Sequence, residues 1–190
     1  MKLVDYGYGQ LELNLVAFPR TGRVVAQYKA GQSFIGATRK EDKPLENGML
    51  LKVDGVNRCV DMAAPTKAGD IYALNYSTEH MYDERTYRLA DFKLNPVDDF
   101  YPRLGYLDIG DKFTTNCVSY ETEAASVAEA WVKVEADFAK GLLGIPSADG
   151  YIELVTEVPE TVVAGPVLRV IEITTMPDGQ KAVKLEVIKA

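Results

Sequence analysis

One histidine, two cysteines and one tryptophan are all that 190 residues contain of those types, and each shortage closes off a class of chemistry. Zinc takes four Cys or His ligands in structural sites and three plus water in catalytic ones. Here His80 lies 21 positions after Cys59 and 37 before Cys117, with no C-x-x-C or H-E-x-x-H anywhere. A serine–histidine–acid set would have to use His80, and the chain has no Gly-x-Ser-x-Gly elbow to go with it. In Thr78-Glu79-His80-Met81-Tyr82-Asp83-Glu84 the histidine stands beside carboxylates, but a solvated loop is the simpler reading. No apolar run approaches the roughly 20 residues of a bilayer helix, so no membrane association is expected. Met1-Lys2-Leu3-Val4-Asp5-Tyr6 lacks the apolar core of a cleaved signal peptide. The sparse, unpaired cysteines fit folding in a reducing compartment, with both thiols as small buried hydrophobes.

Phosphate cradles and paired acids are equally thin. Tyr6-Gly7-Tyr8-Gly9-Gln10 opens like half of a dinucleotide fingerprint, yet no third glycine follows and no strand precedes it. A turn or an extended arm that adds a strand to a neighbour accounts for it better. Asp98-Asp99 follows Asn95-Pro96-Val97 and reads as a solvated loop. Neither a metal site nor a cofactor site emerges. Acidic residues outnumber basic ones 28 to 21, a net charge of −7, which counts against nucleic acid as a partner because that affinity rests on Lys and Arg neutralising phosphates.

What is present is β-sheet text. Hydrophobic residues make up 47% and charged residues 26%, the balance of a folded globular chain. Leu11, Leu13, Leu15 and Ala17 alternate with Glu12, Asn14 and Val16, the period-2 pattern of a half-buried strand. Pro19-Arg20-Thr21-Gly22 turns into a further strand over Arg23–Tyr28, and the charge run Arg39–Pro44 reads as exposed loop. Met49–Val53 and Val56–Met62 flank Asp54-Gly55, which predicts a hairpin with a two-residue type I′ turn. Val167–Thr175 and Lys181–Lys189 flank Met176–Gln180 as a second hairpin, with Val183, Leu185 and Val187 on one face. Gly69-Asp70-Ile71-Tyr72-Ala73-Leu74-Asn75 and Gly110-Asp111-Lys112-Phe113-Thr114-Thr115-Asn116 share the pattern G-D-x-(aromatic)-x-x-N at a separation of 41 residues. Either these aspartates are ligands or, more simply, they mark matching strand starts.

Only Glu123–Lys140 argues for helix, with Val127, Trp131, Val134 and Phe138 on one helical face. The same text alternates as a strand from Val132 to Phe138, so both readings stand. The expected fold class is mainly β: one or two small antiparallel β-barrel or sandwich modules, ten to twelve short strands, at most one short helix. A break near Leu89–Tyr101, marked by Pro96 and Pro102, divides the chain into an N-terminal β-module over 1–90, with its possible arm, and a C-terminal one over 91–190.

The succession Leu45-Glu46-Asn47-Gly48-Met49, Ala68-Gly69-Asp70-Ile71-Tyr72, Leu107–Asn116 and Met176–Gln180 resembles small virion structural proteins of tailed bacteriophages. It looks most like capsid decoration (cement, or head-stabilising) proteins built on β-barrels. The similarity spans about residues 45 to 190 and consists of glycine turns and strand starts. The resemblance implies a non-enzymatic protein made in the host cytoplasm that ends on the capsid exterior. Its partners would be the major capsid protein and further copies of itself, as a homo-oligomer, commonly a trimer. Eleven tyrosines and six phenylalanines supply residue types enriched at interfaces, and Tyr6, Tyr8, Tyr82, Tyr101, Tyr106 and Trp131 are the candidate contacts, with ordinary strand packing the plainer alternative. Two other classes compete: a ligand- or carbohydrate-binding β-module of a phage adhesion or tail structure, and an oligomeric enzyme using Asp70, Asp111 or Glu79/His80.

Overall fold

The computed structural model describes residues 1–4, 9–17, 23–38, 41, 43–77 and 101–190, with the backbone alone over 13–17. The Pro19–Gly22 turn, His80 and Asp98-Asp99 therefore lie outside the described residues, as do half of the Arg39–Pro44 run and all but the last residue of the expected break at 89–101. Thirteen strands and one α-helix are described. In chain order the strands are β1 (Leu11–Ala17), β2 (Val24–Val25), β3 (Lys29–Ala30), β4 (Leu50–Asp54), β5 (Cys59–Asp61), β6 (Tyr72–Asn75) and β7 (Leu104–Tyr106). They continue with β8 (Lys112–Thr115), β9 (Val118–Tyr120), helix α1 (Val127–Phe138), β10 (Leu143–Pro146), β11 (Ile152–Val155), β12 (Val167–Thr175) and β13 (Lys181–Lys189).

The strands form two open sheets. One runs β1-β8-β13-β12-β10-β11-β9 and the other β2-β7-β6-β4-β5-β3. Pairing is antiparallel except at β9/β11 and β3/β5. The chain is thus mainly β with one helix, as its sequence predicts, in sheets rather than a closed barrel among the described residues. Sheet membership changes after β7, while β1 joins the C-terminal strands.

The C-terminal hairpin is the spine of the larger sheet. Val183, Leu185 and Val187 are buried, as the alternation predicts, together with Phe113, Leu168 and Leu154. The charged residues between them pair directly across strands: Lys112 with Glu186 at 3.3 Å, Arg169 with Glu186 at 2.5 Å, and Lys184 with Glu172 at 3.9 Å. Cross-strand neighbours of opposite charge give this hairpin its register. Its turn closes through Met176 N–H to the Gln180 carbonyl at 2.8 Å, with Gly179 at φ +89°.

Helix α1 covers the apolar side of that sheet. Ser126 caps it by accepting the Glu129 N–H at 3.3 Å, and the Glu129 carboxylate reaches back to the Ala125 N–H at 3.0 Å. This reciprocal pairing satisfies two otherwise orphaned donors. Ala130, Trp131 and Val134 face inward while Val132 is exposed, so the strand reading of this stretch is set aside. Trp131 is 1% exposed and its indole N–H donates to the Leu3 carbonyl at 3.2 Å. Leu3 is itself fully buried, because residues 1–4 lie along β9, with Leu3 N–H on the Val118 carbonyl. Met1–Leu3 therefore occupy the chain's own sheet edge, while Tyr6-Gly7-Tyr8 of the expected arm lie outside the described residues.

The smaller sheet is buried on both faces at its centre. Leu50 and Leu74, directly paired, join the core under α1. Leu51 and Ala73, the next pair, enter a second core with Phe34, Leu45, Val60, Leu104 and Cys117. One hairpin differs from expectation. β4 and β5 are joined by four loop residues, Gly55–Arg58, and not by a two-residue turn at Asp54-Gly55. The Asp54 carboxylate accepts N–H groups from Val56 at 2.9 Å and Asn57 at 3.0 Å, which holds the chain in a wider loop and leaves Val56 92% exposed.

Trp131→Ala is expected to lower the unfolding free energy by about 3–5 kcal/mol, the usual cost of emptying a buried aromatic site. Ser126→Ala is expected to cost about 1 kcal/mol through the lost cap. Denaturant unfolding of the two variants checks both values; a cost below about 1 kcal/mol at Trp131 would contradict the packing described.

Candidate functional site

The repeated G-D-x-(aromatic)-x-x-N text folds the same way twice. Gly69 and Gly110 take φ +91° and +95°, the left-handed region glycine enters freely. Asp70 N–H bonds the Lys67 carbonyl at 3.1 Å, and Asp111 N–H bonds the Asp108 carbonyl at 3.0 Å. Each aspartate carboxylate returns to the N–H three residues earlier, at 3.3 Å for Asp70 and 2.7 Å for Asp111. Each also holds a cation: Lys52 at 2.7 Å from Asp70, and Arg23 at 2.8 Å from Asp111. The aromatic residues then sit in β6 and β8, and both asparagines are fully buried. These aspartates are turn braces, each occupied by its own partner. Among the described residues no group of three or more His, Cys, Asp or Glu side chains could hold a metal ion.

A buried polar junction ties the two sheets together. The Glu46 carboxyl group, 4% exposed, accepts the Gly9 N–H at 2.5 Å and the Tyr151 hydroxyl. A side chain at Gly9 would lie 2.7 Å from Cys117 Sγ and 2.8 Å from Glu46 Oε2, so glycine is what lets these segments approach. Asn75 donates to the Glu46 carbonyl at 2.8 Å, and Leu50 N–H to the Gly150 carbonyl at 2.9 Å. Burial pushes the Cys117 thiol well above its ordinary value, with Glu46 adding to it. Such a thiol is an inert hydrophobe. The junction braces the segments that meet at it.

Two surface features remain. The first is a cleft of about 380 Å³ between the Gly69–Tyr72 turn, Tyr106-Leu107, Val163–Pro166 and the end of β13. Ile71 and Val163 line it while 57% and 51% exposed. Ile109, 65% exposed, and Ile188 stand on the neighbouring turn and strand, joined there by Gly110 N–H on the Val187 carbonyl. Large aliphatics so uncovered mark contact surfaces. The second is a cleft of about 460 Å³ lined by Ala26, Gln27, Lys29, Asn57, Arg58 and Tyr101. The Lys29 ammonium lies 5.2 Å from the centre of the exposed Tyr101 ring.

The sequence-predicted contacts fare differently. Tyr6, Tyr8 and Tyr82, with Glu79 and His80, lie outside the described residues. Tyr101 belongs to the second cleft. Tyr106 lines the first, half-buried, and donates to the Tyr28 hydroxyl at 3.2 Å; burial and that bond push its phenol up to about 12. Trp131, on the inner face of α1 and 1% exposed, packs into the chain's own core, the plainer alternative given for it. Ile71, Val163 and Arg58 went unpredicted. Ile71 occupies the variable position of the G-D-x-(aromatic) pattern, where an aliphatic beside a turn is the available signal.

Burial, with Asp61 and Asp54 nearby, pushes Cys59 up to about 11. At pH 8 a thiol reagent is expected to label Cys59 slowly and Cys117 only after unfolding; rapid labelling of Cys117 in the folded protein would contradict its placement. The Lys52 hydrogen bond lowers Asp70 from its ordinary 3.8. Its contribution to stability is therefore present above that value and fades as pH falls through the lowered folded-state pKa. Asp70→Asn is expected to flatten the acid limb of the stability–pH curve, which melting between pH 2 and pH 6, a range set by carboxylate titration, checks. No protein-family model, curated protein or solved structure matches the chain.

Proposed function

We propose that this protein is a non-enzymatic virion component that binds the outer surface of a phage capsid and stabilises it. The reading rests on Ile71 and Val163, large aliphatics that line the first cleft while more than half exposed, beside the braced Gly69-Asp70 turn. A folded chain keeps such a cluster in water at a cost unless a partner covers it. The partner is the major capsid protein, with further copies of this chain, a trimer foremost, completing the lattice. A net charge of −7 favours an outer position, since packaged nucleic acid repels it. The phage resemblance of the glycine turns supplies the identity of the surface; the cluster supplies the means of attachment.

A second reading is favoured by the second cleft: a carbohydrate-binding β-module of a phage adhesion or tail structure. Tyr101 offers an aromatic platform there, and Gln27, Asn57, Lys29 and Arg58 supply hydrogen-bonding groups.

Purified protein is expected to bind preformed shells at a fixed stoichiometry and to raise the temperature at which they rupture. The double variant Ile71→Glu/Val163→Glu should lose that binding while keeping its own melting cooperative. Shells that bind none of the unmodified protein would overturn the reading.

A further inference from the structure

Residues 1–4 fill a slot between α1, β9 and the β10–β11 turn. The Met1 amino group donates to the Tyr120 carbonyl at 2.6 Å, and the Tyr120 N–H returns a bond to the Met1 carbonyl at 2.8 Å. Lys2 faces Ser119 in antiparallel register, and Leu3 N–H donates to the Val118 carbonyl at 2.9 Å. Successive side chains of a strand point to opposite faces. Here they reach different cores: Leu3 joins the one under α1, and Val4 packs against the second. The Lys2 ammonium lies 3.8 Å from the centre of the Tyr151 ring. With the slot empty, the Trp131 indole N–H would lose the Leu3 carbonyl, and β9, last in its sheet, would present a bare edge. The slot therefore requires an occupant, and the features it recognises are backbone groups and side chains of Met1–Val4.

A second copy of the chain carries the same segment and the same slot, so swapping segments between copies keeps every one of these contacts, a low-cost route to an oligomer. We propose that copies of this chain associate by exchanging residues 1–4, each laying its segment along β9 of the next. The inference rests on the reading above that further copies of this chain complete the assembly, and it names the surface that joins them. The exchange is head to tail, which closes into a ring around a trimer's axis. Five residue steps separate Val4 from Gly9, a reach of at most about 18 Å. Gly9 is held by the Glu46 carboxyl group of its own chain at 2.5 Å. Each copy's Glu46 junction then lies within that reach of its neighbour's slot, a contact that draws on none of the residues lining the first cleft.

The test is the double variant Lys2→Cys/Ser119→Cys of the full chain, oxidised in its native state. Met1 and Tyr120 form the hydrogen-bonded pair, so Lys2 and Ser119 are the neighbouring pair without mutual bonds, where opposed side chains come closest and a disulfide is within reach. The native mass is expected to be that of an oligomer. Denaturing, non-reducing electrophoresis is expected to show chains linked from position 2 of one to position 119 of the next, and reduction to return single chains. The two single variants, refolded together, should give linked pairs. Leu3→Ala is expected to weaken association about ten-fold or more, because the site that Leu3 fills belongs to the neighbour. An oligomer whose double variant closes the bond within each chain, or whose association ignores Leu3→Ala, would overturn the exchange and leave self-association standing. A monomer throughout would overturn both.

Discussion

The segments that join the two sheets of this fold meet at one buried carboxyl group. Glu46 sits where the start of β1, the turn before β4, the β8–β9 link and the β10–β11 turn converge. Removing such a group from water is costly unless its oxygens are satisfied, so the junction forms completely or not at all. It joins strands of both sheets, and its bonds require close backbone approach. Gly9 and Gly48 supply that approach: a side chain at Gly48 would strike the Thr115 hydroxyl oxygen, and Gly48 also has φ +91°. The fully buried Asn75 and Asn116 extend the junction, Asn116 accepting the Gln10 N–H at 2.6 Å and donating to Gln180 at 3.1 Å. Polar groups locked in this way restrict which strands can pair.

Among the described residues, the ionisable groups that look reactive in the sequence are committed within the chain, Asp70 to Lys52, Asp111 to Arg23, and Cys117 to a buried, desolvated site. Two surfaces stand apart from that bracing. One rim carries the exposed aliphatic side chains Ile71 and Val163. A second cleft, on a different segment, carries Tyr101 beside Lys29 and Arg58.

Much of the fold is legible in the sequence. The C-terminal hairpin falls at its expected bounds because alternation and the Pro-Asp-Gly turn agree, and cross-strand charge pairs reinforce them. The Gly-Asp echo is legible as twin strand starts because glycine and aspartate each have one local task. Helix α1 was ambiguous on periodicity alone; Ser126 followed three residues later by Glu129 is the cap signature that decides it. The Asp54-Gly55 hairpin departs from a two-residue turn because the aspartate side chain accepts the loop's own N–H groups and widens it. The junction at Glu46 was illegible, since its members come from residues 9, 46 and 151, and nothing local announces that they meet. The contact surfaces were half legible: aromatic content pointed to Tyr101 and Tyr106, but also to Trp131, whose burial depends on a helix and an N-terminal segment far apart in the chain.

The measurement that bears most directly on the adhesive account is amide hydrogen exchange of the protein free and bound to shells. The account predicts added protection confined to the rim formed by residues 68–72, 106–107 and 163–166. Protection elsewhere with that rim unchanged, or no protection at all in the presence of shells, would contradict it.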